Sequence, residues 1–223
     1  MKLTPDNSLW IPSGDTFRWW SDSYEKRQFD IVSRCLIGRR VALDIGAHVG
    51  LWSKRLASLF EDVVAFEPVP SHIKCFQRNC DDISNIILHP VALSNERGQQ
   101  VMKVISAGNT GMSALNKRFY GVKSDDIVVQ VDVLDDYSLV DVDFIKMDVE
   151  GNELRALQGA MNLIQRCHPL IFVEDHYHTS KKKNGLSSID YLLSIGYKDL
   201  GLPNGHRFDD GENNYLMSYE GWN

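Results

Sequence analysis

The stretch VALDIGAHVG (41–50) constrains the fold more than any other part of the chain. Its first half is apolar without alternation, the pattern of a strand buried on both faces, and such strands belong to parallel sheets covered by helices. Gly46 and Gly50 break the run, and LWSKRLASLF (51–60) follows with Leu51, Leu56, Leu59 and Phe60 on one side and Lys54, Arg55 and Ser58 on the other. That is one strand, a glycine turn and one amphipathic helix.

The same unit repeats. DVVAFE (62–67) reads as a second strand and SHIKCFQRNC (71–80) as a second helix, with Ser71 as its N-cap after Pro70. NIILHPVALS (85–94) reads as a third strand. GQQVMKVIS and DIVVQVDVL have the β-rich look of an antiparallel excursion, with the loop GNTGMSALN (108–116) between them. VDFIKMDV (142–149) restores the parallel pattern, followed by a single helix over NELRALQGAMNLIQR (152–166), the strand PLIFVE (169–174), a helix in SSIDYLLSIGY and a last strand in NNYLMSY. This alternation predicts an α/β fold, a doubly wound and mostly parallel sheet with helices on both faces. Residues 40–223 form that domain. Residues 1–39, rich in aromatic side chains and helical from about Tyr24 to Cys35, form an N-terminal extension that either folds over the ligand edge as a lid or packs on the sheet as an extra helix.

Composition narrows the function classes. With 223 residues and 43% hydrophobic content the chain can bury one substantial core. A net charge of −6 argues against a general polyanion binder, so nucleic acid is a poor partner. Cys35, Cys75, Cys80 and Cys167 lack paired zinc spacing and read as reduced thiols. The start MKLTPDNSLW has no leader pattern, and no apolar run approaches the roughly 18 residues of a membrane span. The expected location is cytoplasmic.

The carboxylate that ends the first strand selects the ligand. A glycine turn between strand and helix lets a ligand approach backbone amides. Here the turn is D-x-G-x-x-x-G (Asp44, Gly46, Gly50), whereas the dinucleotide fingerprint is G-x-G-x-x-G. An acid at that strand end repels a pyrophosphate and attracts a sulfonium with an amino group, which favours S-adenosylmethionine over NAD. Glu67, in AFEP at the end of the second strand, is placed to accept hydrogen bonds from ribose hydroxyls. NAD proteins share that second acid, so two competing readings stand beside the first: an NAD-dependent oxidoreductase and a noncatalytic nucleoside-binding module.

Taken together, ALDIGAHVGLWS, AFEPVP, HPVALSN, GNTGMSAL, FIKMDVEGNELRALQGA and PLIFVEDH resemble the successive blocks of the FkbM-type methyltransferases, class I enzymes dependent on S-adenosylmethionine. The resemblance runs from about residue 40 to 176 and implies the Rossmann-like class I sheet with an antiparallel C-terminal strand. It implies a cofactor site built from Asp44, Gly46, Ala47, His48, Gly50, Glu67, Pro68, Ala92 and Asp148, in which His48 replaces the family's usual asparagine. It also implies transfer to oxygen, on a hydroxyl of a sugar or related small metabolite or glycan, with Asn109 and Ser113 on the substrate wall.

Methylating an alcohol requires an in-line acceptor and a base. The fourth strand ends in KMDVEGNE, so Asp148 and Glu150 lie two apart and on an extended segment would share a side. Two close carboxylates push one pKa toward neutrality, which suits a base. The fifth strand ends in FVEDHYH and adds Glu174, Asp175 and His176 at the same edge, with His178 further along. Asp148, Glu150, Glu174 and His176 are therefore the catalytic candidates. The mechanism they suggest needs no metal, although these acids could also hold a divalent ion. KKKN (181–184) reads as a solvated loop.

Overall fold

The computed structural model describes residues 1–17, 20–115, 123–175, 185–201 and 213–220. In chain order its elements are β1 (Lys2–Leu3), β2 (Trp10–Ile11), α1 (Lys26–Cys35), β3 (Val41–Ile45), α2 (Leu51–Ala57), β4 (Asp62–Phe66), α3 (Pro70–Asn79), β5 (Ile86–His89), β6 (Ala92–Leu93), β7 (Gly98–Ile105), β8 (Ala114–Leu115) and β9 (Ser124–Asp132). They continue with β10 (Val142–Met147), α4 (Glu153–Gln158), α5 (Met161–Cys167), β11 (Leu170–Glu174), α6 (Ser188–Ser194), β12 (Tyr197–Asp199) and β13 (Asn214–Tyr219).

Seven strands make the central sheet in the order β12-β13-β11-β10-β3-β4-β5. β5, β4, β3, β10 and β11 run parallel, and β13 is antiparallel to both β11 and β12. This is the doubly wound sheet that the alternating pattern predicts. Its central strands are apolar on both faces because both are covered. Leu43, Ile45, Ile145 and Met147 pack with Leu157 of α4, Ile164 of α5 and Leu192 of α6. The alternate residues Ala42, Phe144 and Phe172 pack with Val32 of α1 and with Trp52 and Leu56 of α2. The described residues between 92 and 132 form the expected excursion, a second sheet ordered β6-β9-β7-β8. Among the described residues no helix is long and apolar enough to cross a membrane.

Three local expectations are corrected. The segment 85–94 is not one strand: β5 pairs with β4, while β6 pairs with β9 in the other sheet. Pro90 between them has no amide to give to a ladder, so the chain leaves the sheet there. Ser71 does not cap α3; Pro70 takes the first helical position and Val69 the cap, as suits a residue without an N–H. The helix expected over 152–166 is two. Gly159 passes so close to Ser94 that a Cβ would sit 2.1 Å from its carbonyl oxygen. Beyond it, the Asp135 carboxylate accepts the amides of Asn162 and Leu163 and starts α5 afresh.

The chain enters the sheet at β3, adds β4 and β5 on one side, then returns to lay β10 on the other side of β3. The connections therefore diverge above β3 and β10 and leave a crevice at their carboxyl ends. Gly46 lies at its floor with φ +80, and a Cβ there would lie 1.8 Å from the carbonyl oxygen of Asp148. We expect Gly46→Ala to combine a left-handed backbone penalty of about 1 kcal/mol or more with displacement of the Asp148 loop. Chemical denaturation should show a loss of at least about 2 kcal/mol.

Candidate active site

A cavity of about 650 Å³ occupies that crevice. Its floor is the turn after β3, one side is the acid end of β4, and the opposite side is the loop between β10 and α4. Phe17, Trp20, Tyr24 and Glu25 from the N-terminal segment also line it.

Of the residues expected to hold the cofactor, Gly46, Ala47, His48, Glu67, Pro68 and Ala92 line the cavity, as does Asp148. Asp44 does not. It is wholly buried beneath the turn, where its Oδ2 accepts the Ser53 hydroxyl at 2.6 Å and its Oδ1 accepts no hydrogen bond. Gly50 is also behind the wall; a Cβ there would press on Phe76 and the Cys80 sulfur at 2.9 Å. Glu67 is anchored as well as placed. Its Oε2 accepts the His48 amide at 2.9 Å, and its Oε1 accepts the Val69 amide at 2.8 Å and faces His72 Nδ1 at 3.2 Å.

The side chain that organises the floor is Lys146, buried on β10. Its ammonium donates to the Gly46 carbonyl at 3.1 Å and stands 3.7 Å from Asp44 and 3.5 Å from Asp148. Burial alone would push the lysine pKa down, but Asp148 and Asp44 outweigh it and hold the ammonium charged. For Asp44 burial dominates and pushes its carboxyl upward against the pull of Lys146. The signal for this residue is a lysine set between Ile145 and Met147 in a strand buried throughout.

His48, with φ +48, is stacked on Trp20 at 5.0 Å and meets His72 edge-on at 4.1 Å. Burial, then His72 and Lys146, keep its pKa well below that of an ordinary imidazole. His48 Nδ1 and His72 Nε2 are buried and take no hydrogen bond. A wall of carboxylates and unsatisfied acceptors fits S-adenosylmethionine, whose sulfonium, amino groups and ribose hydroxyls bring positive charge and donors.

On the opposite wall Asp148, Glu150 and Glu174 converge, with ligand oxygens all within 4.8 Å of one another. The convergence expected from sequence is present, but its geometry is not an extended strand. Glu150 has φ +57 and Gly151 φ +103, so the chain turns sharply after β10 and swings Glu150 back over the cavity. The carboxylates could hold a divalent ion with oxygen ligands. Asp175 serves structure instead, since its Oδ2 accepts the Ser188 amide at 2.8 Å and the Ser188 hydroxyl at 2.6 Å at the start of α6. His176 and His178 lie outside the described residues, as does the run 181–184. On the third wall Asn109 accepts the Gly111 amide, and the Ser113 hydroxyl donates to the Thr110 carbonyl and accepts the Ile105 amide. Both residues line the cavity, and these bonds shape its loop.

The acid at the start of α4 is Glu153, a role Glu150 could have filled. Its Oε1 accepts the amides of Val149 and Gly151 at 3.1 and 2.9 Å, bracketing Glu150. Burial pushes its pKa from 4.5 to about 7 against the pull of those amides. A carboxyl with a higher pKa in the folded chain takes up its proton preferentially when folded, so this contribution is complete below pH 4.5 and is lost as pH rises through about 7. Glu153→Gln keeps an oxygen for both amides and removes the titration. Denaturation of the wild type should weaken across that window by up to about 3 kcal/mol through this group, and the variant should be flatter by that amount.

The match to known proteins agrees with this geometry. The family model described as the methyltransferase FkbM domain matches residues 44–200. None of the curated proteins matches the chain. Among solved structures, the FkbM methyltransferase of Methylobacillus flagellatus KT is 20% identical with a TM-score of 0.56, over 95% of this chain and 48% of the other. This chain thus spans about half the length of that relative. A precorrin-6y C5,15-methyltransferase from Geobacter metallireducens GS-15 is 14% identical, with a TM-score of 0.49 over 97% of this chain and 96% of the other. An rRNA methylase from Streptococcus thermophilus is 13% identical, with a TM-score of 0.48 over 86% and 92%. The family match takes in both acid strand ends and the Asp148 loop, makes S-adenosylmethionine the cofactor, and shows that the chain belongs to the FkbM methyltransferase family.

Proposed function

We propose that the protein methylates an oxygen, a hydroxyl of a sugar or related small metabolite, and that Glu150 is the base. The observation that carries this reading is the convergence of Asp148, Glu150 and Glu174 across the cavity from the cofactor turn. S-adenosylmethionine supplies a methyl on a sulfonium, already activated for displacement. The protein has to place the hydroxyl in line, exclude water and accept the hydroxyl proton as the new carbon–oxygen bond forms.

Glu150 suits the last task for a geometric reason. A non-glycine residue in the left-handed region is strained, and such strain is retained where the surroundings enforce it. Here the enforcement is Glu153, which grips the amides on both sides of Glu150. Asp148 stands by Lys146 at 3.5 Å and shares that ammonium with Asp44. The aromatic wall of Phe17, Trp20 and Tyr24 suits the C–H groups of a sugar ring. A polyanionic acceptor suits the site poorly, because the charged residues on its wall are Glu25, Glu67, Asp148, Glu150 and Glu174 against Lys146 among the described residues.

Glu150→Gln should lower turnover with a panel of sugars about 10²- to 10⁴-fold while leaving the calorimetric affinity for S-adenosylhomocysteine within about threefold. Unchanged turnover would remove Glu150 from the mechanism. Activity that disappears on chelation and returns with Mg²⁺ would instead make the three carboxylates metal ligands.

A further inference from the structure

Asp15 is completely buried, twenty-nine positions before Asp44 and outside the family match. Four donors converge on its carboxylate. Oδ1 accepts the Phe17 amide at 2.8 Å; Oδ2 accepts the indole N–H of Trp20 and the amide of Thr110, each at 3.1 Å, and also the Thr110 hydroxyl. The backbones are laced together beside it: Thr16 donates to the Gly108 carbonyl at 2.8 Å and Gly108 to the Gly14 carbonyl at 3.1 Å. Gly14 passes so near Ser106 that a Cβ would sit 1.9 Å from its carbonyl oxygen.

The chain of contacts continues to the cofactor turn. The Thr110 hydroxyl lies 3.1 Å from His48 Nε2. Because that hydroxyl gives its proton to Asp15, it can only accept from His48, which puts a proton on His48 Nε2. The Trp20 indole, held by the same Asp15 oxygen, stacks on the His48 ring. The His48 amide in turn is held by Glu67. One carboxylate therefore ties an aromatic residue of the N-terminal segment, the loop at Thr110 and the turn that meets the cofactor.

We propose that Asp15 is a positioning residue: through Thr110 and Trp20 it fixes His48 and makes the roof over the acceptor and the cofactor turn respond as one unit. Residues 1–39 on this view contribute a wall of the site in addition to packing on the fold. The inference rests on the cofactor reading above, since the turn must bind its ligand for the response to exist. Cofactor bound at the turn stabilises the roof, formed by Trp20 and the loop at Thr110, and an ordered roof strengthens cofactor binding by the same factor.

The test is hydrogen exchange of segments 20–25, 46–50 and 109–113, with and without saturating S-adenosylhomocysteine. In the wild type the ligand should slow exchange about fivefold or more in all three. Thr110→Val removes the hydroxyl link at nearly constant volume; it should keep the slowing at 46–50, and at 20–25 where Asp15 still holds Trp20 against His48, and lose it at 109–113. Thr110→Ser, which restores the hydroxyl, should recover it. A purely structural role would change exchange equally with and without ligand. If Thr110→Val fails to fold, Asp15→Asn carries the same comparison. Slowing confined to 46–50 in the wild type, or slowing at all three segments in Thr110→Val, overturns the inference and leaves the cofactor reading intact. Failure of the wild type to bind S-adenosylhomocysteine overturns both.

Discussion

The upper edge of the sheet depends on one buried ammonium. Lys146 and Asp44 are register partners on adjacent parallel strands, so their side chains leave the sheet on the same side, and Asp148 follows two residues later in that direction. A carboxylate with no solvent and one unsatisfied oxygen is a costly group to bury. Lys146 offsets that cost for Asp44 and lends its charge to Asp148 as well. The same ammonium grips the Gly46 carbonyl, so the glycine turn after β3 is fixed by the charge balance beneath it. Removing one partner of such a group strands the others, which typically costs about 3–5 kcal/mol. The arrangement is thus a condition of the fold before it is a feature of the site.

That distinction separates the many acids at this edge, which look alike in sequence. Asp44, Glu153, Asp175 and Asp15 are all buried, and each is surrounded by hydroxyls, amides or an ammonium that fix local geometry. Asp148, Glu150 and Glu174 sit on the cavity wall in partial contact with solvent. An acid that has spent its lone pairs on backbone amides orients the chain; one that faces the cavity can meet a ligand. Glu67 does both, because each carboxylate oxygen has two acceptor positions and the His48 and Val69 amides leave capacity over.

Much of this was legible in the sequence because it followed from period and punctuation. Runs such as VALDI and FIKM, apolar but for one charged residue each, are buried strands wherever helices cover both faces, and glycines after a strand signal a close approach. What the sequence hid were effects that depend on a distant partner. In NELRALQGAMNLIQR the local hint of a break is Gly159 alone; what makes it one is the close approach of Ser94 and the cap from Asp135, both far along the chain. Asp44 was readable as a strand-end acid but not as a fully buried one, because its depth is set by the height of Lys146 on the neighbouring strand. Asp15 carried no pattern at all. Its role arises from Thr110, ninety-five residues away.

The walls of the site consequently differ in origin. One wall comes from β3 and β4, where the backbone geometry of the crevice dictates glycine at Gly46 and Glu67 ends the next strand. The other walls come from the turn after β10, from the loop at 109–113 and from Phe17, Trp20 and Tyr24. None of those aromatic residues lies within the span of the family match. A fold of this class fixes where a ligand can sit, and segments grafted onto its rim decide what else fits beside it. The tie from Asp15 to His48 attaches such a segment to the glycine turn through few groups, a carboxylate, a hydroxyl and a ring to stack upon.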